Sequence, residues 1–309
     1  MFSRFLVVLG QVSTLFLMMA VGYVLGKRKK ITAAGTGEMS SLLLYVVAPC
    51  IIIDSFQTAY DPALLRTLAL GALVELVFFF LYAMIVKLFF RKEEENIRIS
   101  FRFGAMYGNT GFMGLPLIQA IMGDEALLFA VVSLMVFNVV VWSHGYMMMN
   151  GSSEGFSLKK ILLTPGILAV IIGLPLFLTQ TTLPGALHTA VKYLGSMNTP
   201  LAMVVIGAQM ARADLGALLR DRQLFEASAL KLVLIPIFTA VVLLPLRHNA
   251  LLYTATVILS GVPTAGITSM FAERFDRVPE RTAGLVSLST LLSILTLPIV
   301  AVAAEAIAG

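Results

Sequence analysis

Stretches of about 20 apolar residues recur ten times along the chain, at 5–26, 39–57, 67–90, 104–123, 126–149, 161–178, 187–210, 224–246, 250–271 and 283–307. One such stretch is what a single helix needs to cross the hydrocarbon core of a bilayer. Lipid offers no partner for backbone N–H and C=O groups, so a chain that spans it must be helical or close into a barrel. The short alternating segments of a barrel are absent from the sequence. Charged residues make up 13% of the chain, roughly half the share in an ordinary soluble domain. The sequence therefore predicts an all-α polytopic membrane protein of ten transmembrane helices joined by short connections.

The basic residues set its orientation. If the loop after the first span is cytoplasmic, sixteen Lys and Arg fall in inner loops and four (Arg4, Arg66, Lys192 and Arg247) on the outer side, while Lys87 and Lys231 lie within spans. Cytoplasmic loops collect Lys and Arg, so both termini are predicted to face outward. The formal charge of +5 then reports topology and anionic headgroups, and no nucleic acid is expected as a partner. The first span is read as a true span and not a cleaved signal, because its basic cluster at 27–30 follows the apolar run. The single cysteine, Cys50, excludes an intramolecular disulfide and a multi-cysteine metal site.

The chain repeats itself weakly at an offset of 151 residues. Pro49 in VVAPCII falls on Pro200 in MNTPLAM, and Glu75 in ALVELVF falls on Glu226 in QLFEASA. Two halves result, 1–150 and 151–309, with five spans each. An odd number of spans means that the second half enters the membrane inverted. This 5+5 inverted repeat is the common architecture of alternating-access transporters.

The fourth span of each half is interrupted at a corresponding place. The first carries GNTGFMGLPL (108–117) and the second SGVPTAGITS (260–269). Proline removes a donor and crowds the carbonyl four residues back. Glycine frees the backbone. Unwound backbone at membrane depth is tolerated only against protein or a wet cavity, so a matched pair of breaks marks a transport site. The alternative is a pair of ordinary proline kinks or close-packing glycines. Crossed half-helices would aim N–H groups and positive dipole ends at the midplane, which suits an anion. No Lys or Arg lies within either broken span, so the anion is expected to be held by dipoles, amides and hydroxyls. The candidate binding residues are Asn109, Thr110, Gly111 and Pro116 in the fourth span and Ser260, Gly261, Pro263 and Thr264 in the ninth. Asn198 and Pro200 of the seventh span join them, the amide either bonding a carboxylate or capping carbonyls freed by the proline.

GNTGFMGLPL followed by AIMGDEALLFA resembles the fourth-helix motif of the auxin efflux carrier family, which includes the plant PIN carriers and bacterial organic-anion carriers. The likeness continues through VVAPCIIIDSF, NTPLAMVVIGAQM, SGVPTAGITSMFAERF and SLSTLLSILTLP, over essentially the whole chain. It implies crossed, proline-broken fourth and ninth helices. It also implies a scaffold of helices one, two, six and seven, often dimeric, against which helices three to five and eight to ten move as an elevator. By that likeness Asn109, Thr110 and Pro116 match the fourth-helix motif and Pro263 the ninth-helix break. Two departures stand out. The plant carriers place proline before the Asn-Thr pair, where this chain has Gly108, and they carry a long central loop where this chain has only residues 150–160. The resemblance therefore points to a compact carrier in a bacterial plasma (inner) membrane, taking a small carboxylate such as malate or malonate, with an indole acid as the family's other cargo.

Intramembrane acids are costly and read as functional by default. Glu75 and Glu226 are accordingly candidate proton-coupling groups. The blander reading pairs Glu226 with Lys231 or an inner-loop arginine and leaves Glu75 protonated or hydrogen-bonded. Asp54 is expected at the membrane interface or in an outer vestibule, and Asn138 and Gln209 in helix–helix hydrogen bonds. Trp142, His144 and Tyr146 read as an interfacial aromatic belt, His188 and His248 as isolated surface residues, and the 16 methionines as pliable packing. Paired aspartates, a Ser-His pair, an HExxH helix and a GxxxxGK(S/T) loop are all absent, so neither an intramembrane enzyme nor a nucleotide-driven pump is expected, and no cofactor or metal. A sodium-coupled carrier of the bile-acid type, or a receptor or channel on the same scaffold, is also compatible with the sequence.

Overall fold

The computed structural model describes residues 2–59, 62–151, 159, 162–213 and 215–308, apart from the side chains at 2–8, 11, 125, 215 and 217. The connection between the halves, 150–160, falls largely outside the described residues, as does Lys160. Among the described residues the secondary structure is helical, with one isolated backbone bridge and no strand. In chain order the helices are α1 (Phe2–Lys27), α2 (Ala33–Ser55), α3 (Pro62–Leu88), α4 (Glu95–Met106), α5 (Thr110–Met122), α6 (Ala126–Asn150) and α7 (Pro165–Leu178). They continue with α8 (Gly185–Ser196), α9 (Asn198–Met210), α10 (Arg222–Leu246), α11 (Ala250–Ser260), α12 (Ile267–Arg274) and α13 (Pro279–Ala308).

Among the described residues five helices, α2, α3, α6, α10 and α13, are long and apolar enough to cross a bilayer, and α1 from Val12, α5, α7 and α11 are apolar but shorter. The chain is thus a multi-pass helical membrane protein. Three of the expected spans are each two helices, and two of these, the fourth and the ninth, are the ones expected to be interrupted. The fourth is split into α4 and α5 with extended backbone at Tyr107, and the ninth into α11 and α12 across 261–266. The seventh begins as α8, and α9 starts afresh at Asn198. Pro200 therefore does not break a helix. It occupies the first turn of α9, where its missing N–H would have found no partner anyway.

Proline shapes the long helices in another way. Widened five-residue turns occupy Leu43–Val47, Thr110–Gly114 and Leu230–Leu234, and each ends two residues before a proline, Pro49, Pro116 or Pro236. The carbonyl four residues before each proline, at Tyr45, Phe112 or Leu232, lies in the middle of the turn. It has lost its donor and is crowded by the ring, so the ladder widens there instead of stopping. A fourth such turn, Val141–Gly145, precedes no proline. There the Ser143 hydroxyl donates to the carbonyls of Val139 and Val140 (2.5 and 3.3 Å), a side-chain bond that bends helices.

Side-chain hydrogen bonds sort the helices into two sets. In the first, Arg212 donates to Thr36 Oγ1 (3.0 Å), His188 Nε2 meets Asp54 Oδ1 (3.0 Å), and Gln57 accepts from the Leu183 N–H (2.8 Å). These tie α2 to the segments around α8 and α9, while α1 packs along α9 and α7 along α2. The contact of α1 with α9 is backbone on backbone. A Cβ on Gly22 would stand 2.0 Å from the Val204 carbonyl oxygen, and one on Gly207 1.9 Å from that of Met19. Gly26 meets Ala208 and Ala211, Gly22 meets Val204, and Gly207 meets Met19 and Tyr23, so small residues on both helices form a seam of the kind that lets membrane helices approach closely. In the second set, Arg281 pairs with Asp221 (2.8 Å), Arg277 bonds Asn96 Oδ1 (2.9 Å) and the Met149 carbonyl, and Gln223 bonds Glu93. Arg102 closes the end of α3 through the carbonyls of Phe89 and Lys87 (2.9 Å each). Asp221 also caps α10 through the N–H groups of Gln223 and Leu224. These bonds unite α3, α4, α6, α10 and α13, and none of them crosses to the first set.

Candidate functional site

The two helix interruptions run antiparallel against each other. Gly108 and Thr264 form an isolated bridge: Asn109 N–H donates to the Pro263 carbonyl (2.7 Å) and Ala265 N–H to the Tyr107 carbonyl (2.9 Å). Had each helix run on, Gly108 N–H would have met the Gly104 carbonyl and Thr264 N–H that of Ser260. Three of these freed groups, the Gly104 and Ser260 carbonyls and the Thr264 N–H, are satisfied by other parts of the protein. The Gly104 carbonyl accepts from Thr264 Oγ1 (3.0 Å), and Thr264 N–H donates to Ser289 Oγ of α13 (3.1 Å). The Ser260 carbonyl accepts from the ammonium of Lys231 on α10 (2.8 Å). Unpaired buried amides cost several kcal/mol each in lipid, so this substitution is what allows two breaks at membrane depth.

The chain restarts as α5 because Asn109 caps it, its Oδ1 accepting from the Phe112 N–H (3.2 Å). Of the other candidates, Thr110 (7% exposed), Pro116, Ser260, Gly261, Pro263 and Thr264 are buried around the crossing, and Gly111 is partly covered. Asn198 lies elsewhere, at the start of α9. It is 1% exposed, and its amide nitrogen has no hydrogen-bond partner. Pro200 beside it is exposed.

A small cavity of about 20 Å3 opens beside the crossing, with room for about one water molecule. Its polar wall is Glu75, Tyr82, Thr110, Ser133, Lys231 and Ser260. Glu75, on α3, is 8% exposed and accepts a hydrogen bond from Ser133 of α6 (3.1 Å). Tyr82 shares a 2.6 Å bond with Thr239 of α10. Lys231 is 2% exposed. A Cβ on Gly108 would meet its ammonium nitrogen at 2.8 Å, so glycine at 108 leaves the space this cation occupies.

Lys231 corrects the expectation of a site without a cationic side chain. The broken helices carry none themselves, but α10 delivers one to the C-terminal end of α11, where a positive charge is favoured by the helix dipole. One sequence signal could have found it. Lys231 is a lone cation deep in an apolar run with no acid three or four residues away, and intramembrane charges of that kind serve function. Ser289, which ties α13 to the crossing, carries no such signal.

Other residues settle as follows. Glu226 pairs with an arginine, Arg222 (2.8 Å, with i,i+4 spacing), on an exposed turn of α10, and only Glu75 of the two acids faces the cavity. Asp54 and His188 pair with each other, so His188 is not isolated. Asn138 bonds the Leu134 carbonyl of its own helix, and Gln209 is exposed. Trp142, His144 and Tyr146 do not form an outward belt. Trp142 and Tyr146 pack edge-on against Phe271 of α12 at 5.2 and 6.2 Å, and His144 Nδ1 lies 2.9 Å from the Tyr107 hydroxyl. No group of three potential metal ligands occurs among the described residues.

A family model described as membrane transport protein matches residues 7–301. An uncharacterized transporter of Methanothermobacter thermautotrophicus is 22% identical over 292 residues, which cover 93% of this chain and 95% of that one. The sequence motifs, the helical multi-pass fold and a family match over nearly the whole length agree, and the protein belongs to the membrane transport protein family, that of the auxin efflux carriers.

Proposed function

We propose that the protein is a secondary transporter that carries a small organic anion, a carboxylate such as malate, malonate or an indole acid, across the plasma membrane. The anion binds at the crossing of the two broken spans. The observation that carries this reading is the paired break itself. Backbone is unwound in two membrane helices, the breaks are matched antiparallel at Gly108 and Thr264, and the buried Lys231 cation stands beside them. The restart of α5 at Thr110 directs the positive end of its helix dipole into the same region.

The ten spans form two inverted halves of five, with both termini outside. The antiparallel bridge supports this, since segments related by an axis in the membrane plane meet head to tail. Motion is of the elevator kind. Its support is the separation of hydrogen bonds into two sets, one around α2, α8 and α9 and one around α3, α4, α6, α10 and α13. Packing of α1 on α13 and of α7 on α6 joins the sets. Surfaces that exchange few directional bonds slide at low cost.

The reading is tested by thermal shift of the purified protein with malate, malonate and indole acetate, followed by counterflow of the radiolabelled hit in proteoliposomes. Saturable counterflow is expected. Asn109→Ala removes the α5 cap, which costs about 1 kcal/mol, and weakens the hit. Equal binding in that variant sinks the placement of the site, and a stabilised protein without counterflow is a receptor.

A further inference from the structure

Glu75 and Lys231 are opposite charges on different helices, both buried and both in the wall of one cavity. Neither bonds the other. The carboxylate is held by the Ser133 hydroxyl, and the ammonium by the Ser260 carbonyl. An ammonium has three N–H donors, and Ser260 engages one. Gly108 presents no side chain toward the nitrogen. Lys231 can therefore keep its hold on the end of α11 and still offer donors to a carboxylate.

Charge balance then constrains what can enter. Uncompensated charge in a low-dielectric enclosure is expensive, and charged groups there are found paired. Glu75 and Lys231 together sum to zero. A carboxylate that joins Lys231 leaves the enclosure at −1 unless one positive charge arrives with it. The titratable groups facing Glu75 are Lys231 from α10 and Tyr82 from α3. Helices α4, α5, α6 and α11 and the break at Gly108 present only Met106, Gly108, Thr110, Ser133, Leu259 and Ser260. Glu75 is the one acid in that wall.

We propose that Lys231 is the counter-ion of the bound carboxylate and that Glu75 takes up one proton with each monoanion, so that transport moves anion and proton together without net charge. The balance is simple. A proton from solvent adds to a Glu75 carboxylate oxygen, an anion of charge −1 enters beside Lys231, and the enclosure is neutral before and after. At about 20 Å3 the cavity takes about one water molecule, so its walls must part to admit a carboxylate. This inference rests on the anion-transport reading and assigns its charge-handling residues.

The test is calorimetric titration of the purified full-length protein with a monoanionic form of the hit, indole acetate itself or monomethyl malonate if malonate is the hit, in two buffers of different ionisation enthalpy. One proton taken up per monoanion is expected. Affinity should weaken by about tenfold per pH unit once Glu75 ionises in the unliganded protein. Glu75→Gln should bind with no proton uptake and no such slope. Lys231→Gln should lose at least about tenfold in affinity, about 1.4 kcal/mol. The double variant Glu75→Gln/Lys231→Gln buries no charge, so it guards against a single variant that fails to fold, and it should stay folded yet bind weakly. In proteoliposomes a potassium–valinomycin potential should leave the wild-type rate unchanged. Proton uptake persisting in Glu75→Gln, or wild-type affinity in the double variant, overturns the inference while leaving anion transport intact. A protein that binds none of the anions overturns the transport reading and this inference with it.

Discussion

At Lys231 and Gly108 a single atom position decides what the site can be. Glycine at 108 is required by space and not by backbone angle, since a methyl there would stand 2.8 Å from both the Lys231 nitrogen and Val262 Cγ2. Gly108→Ala should displace the ammonium from the Ser260 carbonyl and weaken anion binding by about tenfold, about 1.4 kcal/mol, as read by titration calorimetry. Unchanged affinity would mean that the cation can move aside freely. The polar residues of the fourth and ninth breaks were legible in the sequence because glycine and proline weaken a helix, while hydroxyls and amides gain nothing from lipid. Lys231 was visible but not placeable. Most of its sequence neighbours are apolar, its bonded partner is the carbonyl at 260, and its spatial neighbours 75 and 108 lie on other elements.

At the scale of elements, proline did more than break helices. Three times it left a widened turn just ahead of itself and let the helix continue, while Pro175 and Pro298 sit inside α7 and α13. The spans most visible in the sequence were those without a break. The fourth and ninth were each expected as one interrupted helix, over 104–123 and 250–271, and hydropathy found mainly their apolar parts α5 and α11, because α4 and α12 carry charged residues. Close packing of α1 on α9 is a second property of elements. Gly207→Ala would put a methyl into the Met19 backbone carbonyl, and overpacking of this kind costs about 1–3 kcal/mol. A lowered melting temperature of the purified protein is expected. Gly37→Ala faces open space and should melt as wild type does.

At the scale of the molecule, the two sets of hydrogen-bonded helices predict where motion is permitted. A Cβ on Gly166 of α7 would lie 3.5 Å from the Asn138 amide of α6, which places these two residues across the boundary between the sets. In a Cys50→Ala background, Asn138→Cys with Gly166→Cys, bridged by a short cleavable bis-thiol reagent, should stop counterflow, and reductant should restore it. Asp54→Cys with His188→Cys, which lies within one set, should leave counterflow running when bridged. Full activity with the first bridge closed would rule out sliding along this boundary.

By itself the sequence determined the helical class, the membrane as solvent, the family and the two places where the backbone opens. Those follow from hydropathy and from residues that cannot sustain a helix, both of which are local properties. Only the tertiary structure decided that the openings pair with each other, that Thr264, Ser289 and Lys231 take over the lost helical bonds, and that Glu75 faces a lysine while Glu226 turns to Arg222. A freed backbone group declares its need in the chain, but the partner that meets it is chosen by which helices pack around it.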